Sequence, residues 1–202
     1  CALPISFDLD VIGKQGHVAY QHLAKNPIDG LMRLMAALKA TPLDAGTEHF
    51  LATNLEFTSV DVGNPARNVI PAAARVQGNI RFNDLWTSTT LGAELRRRLE
   101  GVNDAPDYRL TLHPTNAEAF LTAPGPFVEL VSGAVRDVTG RTPELSTTGG
   151  TSDARFIQAY CPVIEFGTVG QTMHQVDERV SLSDIDQLTA VYRRAIERFF
   201  KA

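Results

Sequence analysis

The chain has 202 residues, 44% of them apolar, and a formal net charge of −4. That length holds one large domain or two small ones, and an acidic balance without a basic cluster argues against a nucleic-acid partner. No apolar run approaches the ~20 residues of a membrane span and the first residues lack the regions of a signal peptide, so a cytoplasmic protein with no membrane partner is expected.

Cys1-Ala-Leu-Pro-Ile-Ser6 carries no initiator Met and leads straight into a strand, as a chain beginning inside a larger protein would. From Ser6 to Ile12, Phe7, Leu9 and Val11 alternate with Asp8 and Asp10, the period-two pattern of a half-buried strand, with the two aspartates expected at a solvated edge. A loop from His17 to His22 follows. Asn26-Pro27 then supplies a cap and a first helical proline for a helix with Leu31, Leu34, Met35 and Leu38 on its apolar stripe, stopped at Thr41-Pro42. Strands are predicted over His49 to Val62 and Asn68 to Phe82, separated by Gly63-Asn64-Pro65. In the latter, Val76, Gly78, Ile80 and Phe82 share one face and Arg75, Gln77, Asn79 and Arg81 the other. Thr87 or Ser88 caps a helix carrying Leu91, Leu95 and Leu99, and Tyr108 to Leu112 forms a fourth strand. The order βαββαβ is that of a ferredoxin-like domain, with its helices on one face of an antiparallel sheet.

A Pro/Asn/Ala-rich passage from Pro114 to Ala117 marks a boundary. Beyond it the pattern predicts a helix over Pro126 to Val138 closed by Gly140, a strand at Glu144 to Ser146, a helix over Ser152 to Tyr160, a strand at Pro162 to Phe166 and a helix over Ser183 to Phe200. Helices alternating with strands indicate α/β packing on a largely parallel sheet. Two strands are too few for an open sheet, so this unit reads as part of a domain with further strands elsewhere. Cys1 and Cys161 form no CxxC pair, no structural disulfide is expected, and Cys161, ahead of an apolar stretch, is expected to be buried.

Chemistry concentrates between Ser146 and Glu178. The turn Ser146-Thr-Thr-Gly-Gly-Thr-Ser-Asp-Ala-Arg155 offers backbone N–H groups, hydroxyls and a planar cation, which suit a carboxylate; a capped turn without a ligand accounts for the same residues. No Lys-Ser/Thr follows the glycines, so it is not a phosphate loop. His174 lies in the loop after the Pro162 to Phe166 stretch, with Asp177 and Glu178 near enough to orient its ring; an exposed loop histidine is the alternative. His17 and His22 do not share a helix face, and the chain holds no HExxH, no His-x-Asp, no adjacent glutamate pair and no G-x-S-x-G elbow.

Five segments occur in order along nearly the whole chain: Gly13-Lys-Gln-Gly-His17-Val-Ala-Tyr20, Asn68-Val-Ile-Pro71, Asn79-Ile-Arg81, Gly149-Gly-Thr-Ser-Asp-Ala-Arg155-Phe, and Glu165-Phe-Gly167 through His174-Gln-Val-Asp-Glu178. Together they resemble the two-zinc amidohydrolases, the family that includes acetylornithine deacetylase and glutamate carboxypeptidases. The resemblance implies an α/β protein. Residues 1–115 would form a ferredoxin-like βαββαβ lid through which a homodimer assembles. Residues 116–202 would form the C-terminal part of a zinc-hydrolase α/β catalytic domain whose N-terminal part is absent here. It implies two Zn2+ ions per subunit, for which Co2+ substitutes, with His174 as a terminal zinc ligand. His17 resembles the lid histidine that reaches the partner subunit's active site and stabilises an oxyanion. Asn68 and Arg81 resemble lid residues that hold substrate, and Gly149, Gly150, Thr151 and Arg155 the loop that grips a substrate carboxylate.

The implied reaction is hydrolysis of a small amide carrying three carboxylates: zinc lowers the pKa of a bound water toward ~7 and a glutamate removes its proton. The family's His-Asp zinc pair, bridging aspartate and catalytic glutamate have no counterpart here, so the polypeptide alone is expected to be inactive. Gln21 stands where Pro is usual, Thr148 where Gly is frequent, and Cys1 to Ile5 match nothing in the pattern. An acetylornithine deacetylase or aminoacylase specificity, and a non-catalytic dimerising carboxylate-binding module, stay open as alternatives.

Overall fold

A strand that alternates apolar and polar side chains needs a layer to cover its apolar side, and the first half of the chain supplies two helices for that purpose. The computed structural model describes residues 3–115, 119–148 and 152–201, and divides into two units, Cys1–Phe120 and Leu121–Ala202.

In the first unit, β1 (Leu3–Ile12) buries Leu3, Ile5, Phe7, Leu9 and Val11, none more than 1% exposed. It starts earlier than the alternation from Ser6 predicts: Leu3 and Ile5 pair with Phe82 and Ile80 and enter the core. The other long strands are β3 (Asn54–Asp61), β5 (Ala73–Phe82) and β6 (Asp107–His113), and β2 (Gly16–His17) pairs with β4 (Val69–Ile70) as a separate ribbon. The sheet order is β3-β5-β1-β6, antiparallel throughout, as the ferredoxin-like prediction requires. Helices α1 (Pro27–Leu38) and α2 (Ser88–Glu100) bring Leu31, Leu34, Leu38, Leu91, Leu95 and Leu99 into the same cluster as the buried face of β1 and β5. Asn26 Oδ1 accepts the Ile28 amide at 3.1 Å to start α1, and Thr87 and Thr90 cap α2 reciprocally. Arg98 of α2 donates to the carbonyls of Leu38, Thr41 and Pro42, satisfying the end of α1.

Three local expectations change. The stretch from Asn68 to Phe82 is two strands rather than one, because Pro71 between them has no N–H to give a ladder. Asp8 and Asp10 lie not at an edge but on the open face of the central strand. There Asp10 meets Arg75 at 2.5 Å, and His113, first, and Gln77 hold the Asp8 carboxyl below its usual range.

His49 to Thr53 is not strand either, and Asp44 explains why. Its carboxylate accepts from Gly46 N at 2.8 Å, Thr53 N at 3.0 Å, Asn83 Nδ2 at 2.9 Å and Trp86 Nε1 at 2.8 Å, gathering the 44–53 loop against the start of α2. Burial by itself pushes the Asp44 carboxyl up, but the hydrogen bonds from Thr53, Trp86 and Gly46 outweigh it and hold it down to about 2.

The second unit contains α3 (Pro126–Thr139), the short α4 (Ala154–Ile157) and α5 (Leu182–Phe199). Gly140, at φ 70°, closes α3 as predicted. Ala134, Val135 and Val191 join α3 to α5, and Arg194 and Arg198 both bind Asp137, at 2.8 and 2.7 Å. Among the described residues of this unit, the strands predicted at 144–146 and 162–166 do not form. A strand needs a neighbour's ladder, and here side-chain hydroxyls take the carbonyls instead: Thr122 donates to Val163 O and Tyr192 to Phe166 O. With no strand to bury it, Cys161 is exposed, contrary to expectation. No helix among the described residues is long and apolar enough to cross a membrane.

Asp44→Ala leaves several buried donors unpaired and lowers unfolding stability by about 2–3 kcal/mol, measured by urea denaturation at pH 7. Because the folded carboxyl lies below its ordinary value of 3.8, Asp44 stabilises the fold above about pH 4. That contribution fades as pH falls toward 2, so the wild-type and variant curves converge in acid.

Candidate functional site

The predicted site residues fall into three places. The first is the β2–β4 ribbon, where Gly16 pairs with Ile70 and His17 with Val69. Val18 N donates to Asn68 O at 3.1 Å, so the ribbon brings His17 and Asn68, fifty-one positions apart, into one small structure. His17 then opens a 3-10 segment (Val18–Leu23) as its cap: its Nδ1 accepts the Ala19 amide at 3.1 Å. The imidazole is exposed, with the Tyr20 ring 5.8 Å away and the His22 ring 6.5 Å beyond that. Nδ1 is thus occupied as an acceptor, which leaves Nε2 as the ring nitrogen without a partner in the ribbon. Asn64 Nδ2 donates to Val69 O at 2.8 Å and holds the far strand of the ribbon. Gln21, standing where proline is usual in the resemblance, offers its carbonyl to Ala24 N at 3.1 Å and closes the turn.

Arg81 is elsewhere. It lies exposed on β5, opposite Pro4 of β1 and Asn54 of β3. The eight residue-to-residue steps from Ala73 to Arg81, at ~3.3 Å each, set roughly 26 Å of strand between it and the end of β5 where the ribbon joins. The structure therefore separates Arg81 from His17 and Asn68 within one chain.

The third place is in the second unit. Arg155 sits on α4 with its guanidinium 4.7 Å from the Phe156 ring centroid, and its buried Nε has no hydrogen-bond partner among the described residues. Ser152 accepts the Ala154 amide at 3.0 Å and donates to Glu165, pinning the start of α4. Gly149, Gly150 and Thr151 lie outside the described residues. His174 is exposed in a loop that takes left-handed backbone there (φ 61°) and at Asp177 (φ 62°). Thr172, exchanging hydrogen bonds of 3.0 Å with Arg179 N and O, closes that loop. Neither Asp177 nor Glu178 hydrogen-bonds the His174 ring among the described residues. Nor do three or more His, Cys, Asp or Glu side chains gather there to hold a metal ion. His174 alone does not make a metal centre, and the described residues by themselves do not fit two zinc ions.

The sequence marks His17 as a candidate but does not show what holds it. Ala19 acts through its backbone and leaves no side-chain signal; the His-x-x-Tyr spacing of His17 and Tyr20 was the available clue.

The sheet order and the ribbon that carries His17 define the class. The chain belongs to the peptidase dimerisation domain family, whose model matches residues 4–105. More particularly, it is 66% identical over 193 residues to the succinyl-diaminopimelate desuccinylase of Methylobacterium nodulans, covering 95% of this chain and 49% of that one. It is 61% identical to the protein of that name from Methylorubrum populi, covering 96% and 50%, and 60% to that from Methylocella silvestris, with the same coverage. The chain thus spans about half the length of the curated relatives it matches. Among solved structures, an aminopeptidase from Bacillus cereus superposes with a TM-score of 0.70 at 16% identity, covering 98% of this chain and 52% of that one. A Staphylococcus aureus tripeptidase gives 0.73 at 14%, covering 96% and 51%. At those identities the structures share the fold.

Gly16 is needed where it stands, since a Cβ there would lie 2.7 Å from Ala24 Cβ. Gly16→Ala pushes the 3-10 segment off the ribbon: the His17–Tyr20 ring contact disappears from NOE spectra and stability falls by about 1–3 kcal/mol. The slow-exchanging amides of β1 and β5 persist.

Proposed function

We propose that this chain supplies the lid and the C-terminal part of the catalytic unit of a succinyl-diaminopimelate desuccinylase. That enzyme would be a cytoplasmic zinc-dependent homodimer hydrolysing N-succinyl-LL-2,6-diaminopimelate to LL-diaminopimelate and succinate. The observation that carries this reading is identity of 59–66%, over about 95% of the chain, to proteins so named.

The geometry supports particular duties. His17 presents an outward Nε2–H suited to the oxygen of an attacked amide carbonyl as it gains charge, and Asn68 beside it suits a substrate polar group. Arg81, at the far end of β5, is too distant to serve the same carbonyl, which favours two ends of one lid addressing two active sites of a dimer. The unpaired Nε of Arg155 suits a substrate carboxylate, in company with Gly149, Gly150 and Thr151. His174 is offered as one metal ligand, with the remaining ligands coming from outside the described residues. Succinylated diaminopimelate carries three carboxylates, and two arginines at separate stations answer that charge.

The test is a chimera in which these residues replace the matching half of the Methylobacterium nodulans relative. It should release succinate from succinyl-diaminopimelate with kcat/KM at least ~10²-fold above that for acetylornithine. Preference for the acetylated substrate would instead place the chain with the acetylornithine deacetylases. In the same chimera His17→Ala lowers kcat by ~10²–10³-fold with KM little changed. Arg155→Ala chiefly raises KM, by ~10–100-fold, as expected for a lost charged hydrogen bond.

A further inference from the structure

We infer that His17 works as a neutral hydrogen-bond donor whose tautomer is set by the backbone amide of Ala19, which makes Ala19 a positioning residue. Its catalytic meaning rests on the proposed function above; the tautomer rests on the ribbon alone.

An imidazole has two nitrogens and, when neutral, one proton, so whichever nitrogen accepts a hydrogen bond forces the proton onto the other. The Ala19 N–H points at Nδ1 from 3.1 Å, in the arrangement of a helix cap whose acceptor happens to be a ring nitrogen. An N–H can only donate, so Nδ1 is bare and Nε2 protonated. The cap residue itself is extended (φ −77°, ψ 135°) and is fixed by pairing with Val69, so the ring's root is held by the ribbon and its inner edge by the amide. Tyr20 closes one flank, since its departure from helical backbone (φ −120°, ψ 49°) turns its ring to a tilted contact with His17 on one side and an edge contact with His22 on the other. What remains open is Nε2–H.

The same geometry decides what protonation does. The imidazolium has a donor at both nitrogens and no acceptor, so its Nδ1–H confronts the Ala19 N–H and the cap is lost. A positive ring would by itself attract a developing oxyanion more strongly, but it would no longer be held in place. The titratable group whose ring lies against His17 is Tyr20, with His22 beyond it; across the ribbon the facing residues are Asn68, Val69 and Ile70, which do not titrate. The coupling is therefore between the ring and one amide.

Long-range proton–nitrogen spectra of the 15N-labelled 202-residue chain read this directly. At neutral pH, His17 Nδ1 should appear as the unprotonated nitrogen, and the Ala19 amide resonance should shift with the same midpoint as the ring on titration into acid. A protonated Nδ1, or an Ala19 amide indifferent to the ring's titration, overturns the inference. His17→Asn separates the two roles, because its short amide oxygen can still cap Ala19 but cannot reach a substrate. The Ala19 amide should then lose its acid titration while kcat in the full-length chimera falls ~10²-fold and KM stays within about twofold. Should kcat survive that substitution while the wild-type spectra show a bare Nδ1 coupled to Ala19, the tautomer stands and the catalytic reading fails. A protonated Nδ1 in a chimera inactivated by His17→Ala would refute the tautomer and leave the catalytic reading intact.

Discussion

The central position of β1 is the constraint on which the first unit depends. Flanked by β5 along its length and by β6 from Ser6 to Ile12, it lies inside the sheet, and its apolar face is covered by α1 and α2. Its other face then has to be polar in pairs, because carboxylates there stand opposite residues of both neighbours. Asp10 meets Arg75, Asp8 meets Gln77 on one side and His113 on the other, and Ser6 accepts from Asn79. Such exposed pairs contribute little individually, but they fix which residues can stand opposite which. Register set in this way carries β5 to Pro71, and Pro71 delivers the ribbon that holds His17 and Asn68.

Two ways of keeping a carboxylate charged appear in the same unit. Glu94 is held down to about 2 by hydrogen bonds from Arg97 and Arg98, and the Arg98 guanidinium goes on to bind the carbonyls that end α1. Asp44 is held instead by neutral backbone, amide and indole donors. The first arrangement ties helix to helix, and the second replaces the first five residues of the predicted His49 to Val62 strand by a loop, because four converging donors outweigh a ladder that His49 to Thr53 would otherwise have joined.

The second unit is built on a narrower base. Ala134, Val135 and Val191 are buried where α3 meets α5, yet Ile196 and Phe199 of α5 and Phe200 just after it remain 57–80% exposed. Two helices cannot enclose each other's apolar faces, so burial here is confined to small residues at their line of contact. This is also why Pro162 to Phe166, apolar enough to be read as a strand, is not one: apolar composition selects a face for burial, but only a neighbouring backbone makes a strand.

Local pattern by itself determined a good deal: the alternation of β1 and β5, the Asn26-Pro27 and Thr87 caps, the leucine stripes of α1 and α2, and from their order the ferredoxin-like topology. Period and cap chemistry are properties of neighbouring residues, so a linear reading reaches them. The order of the five motif segments carries the amidohydrolase resemblance in the linear chain. Tertiary structure alone decided the rest. It split one predicted strand at Pro71, drew Leu3 and Ile5 into the sheet, withheld the strands predicted at 144–146 and 162–166 among the described residues of the second unit, and exposed Cys161. It set His17 beside Asn68 while sending Arg81 to the opposite end of β5. These outcomes depend on which backbone groups find partners far along the chain, as Gly16 and His17 find Ile70 and Val69, and because nearly every residue carries the same backbone groups no sequence motif can mark the pairing.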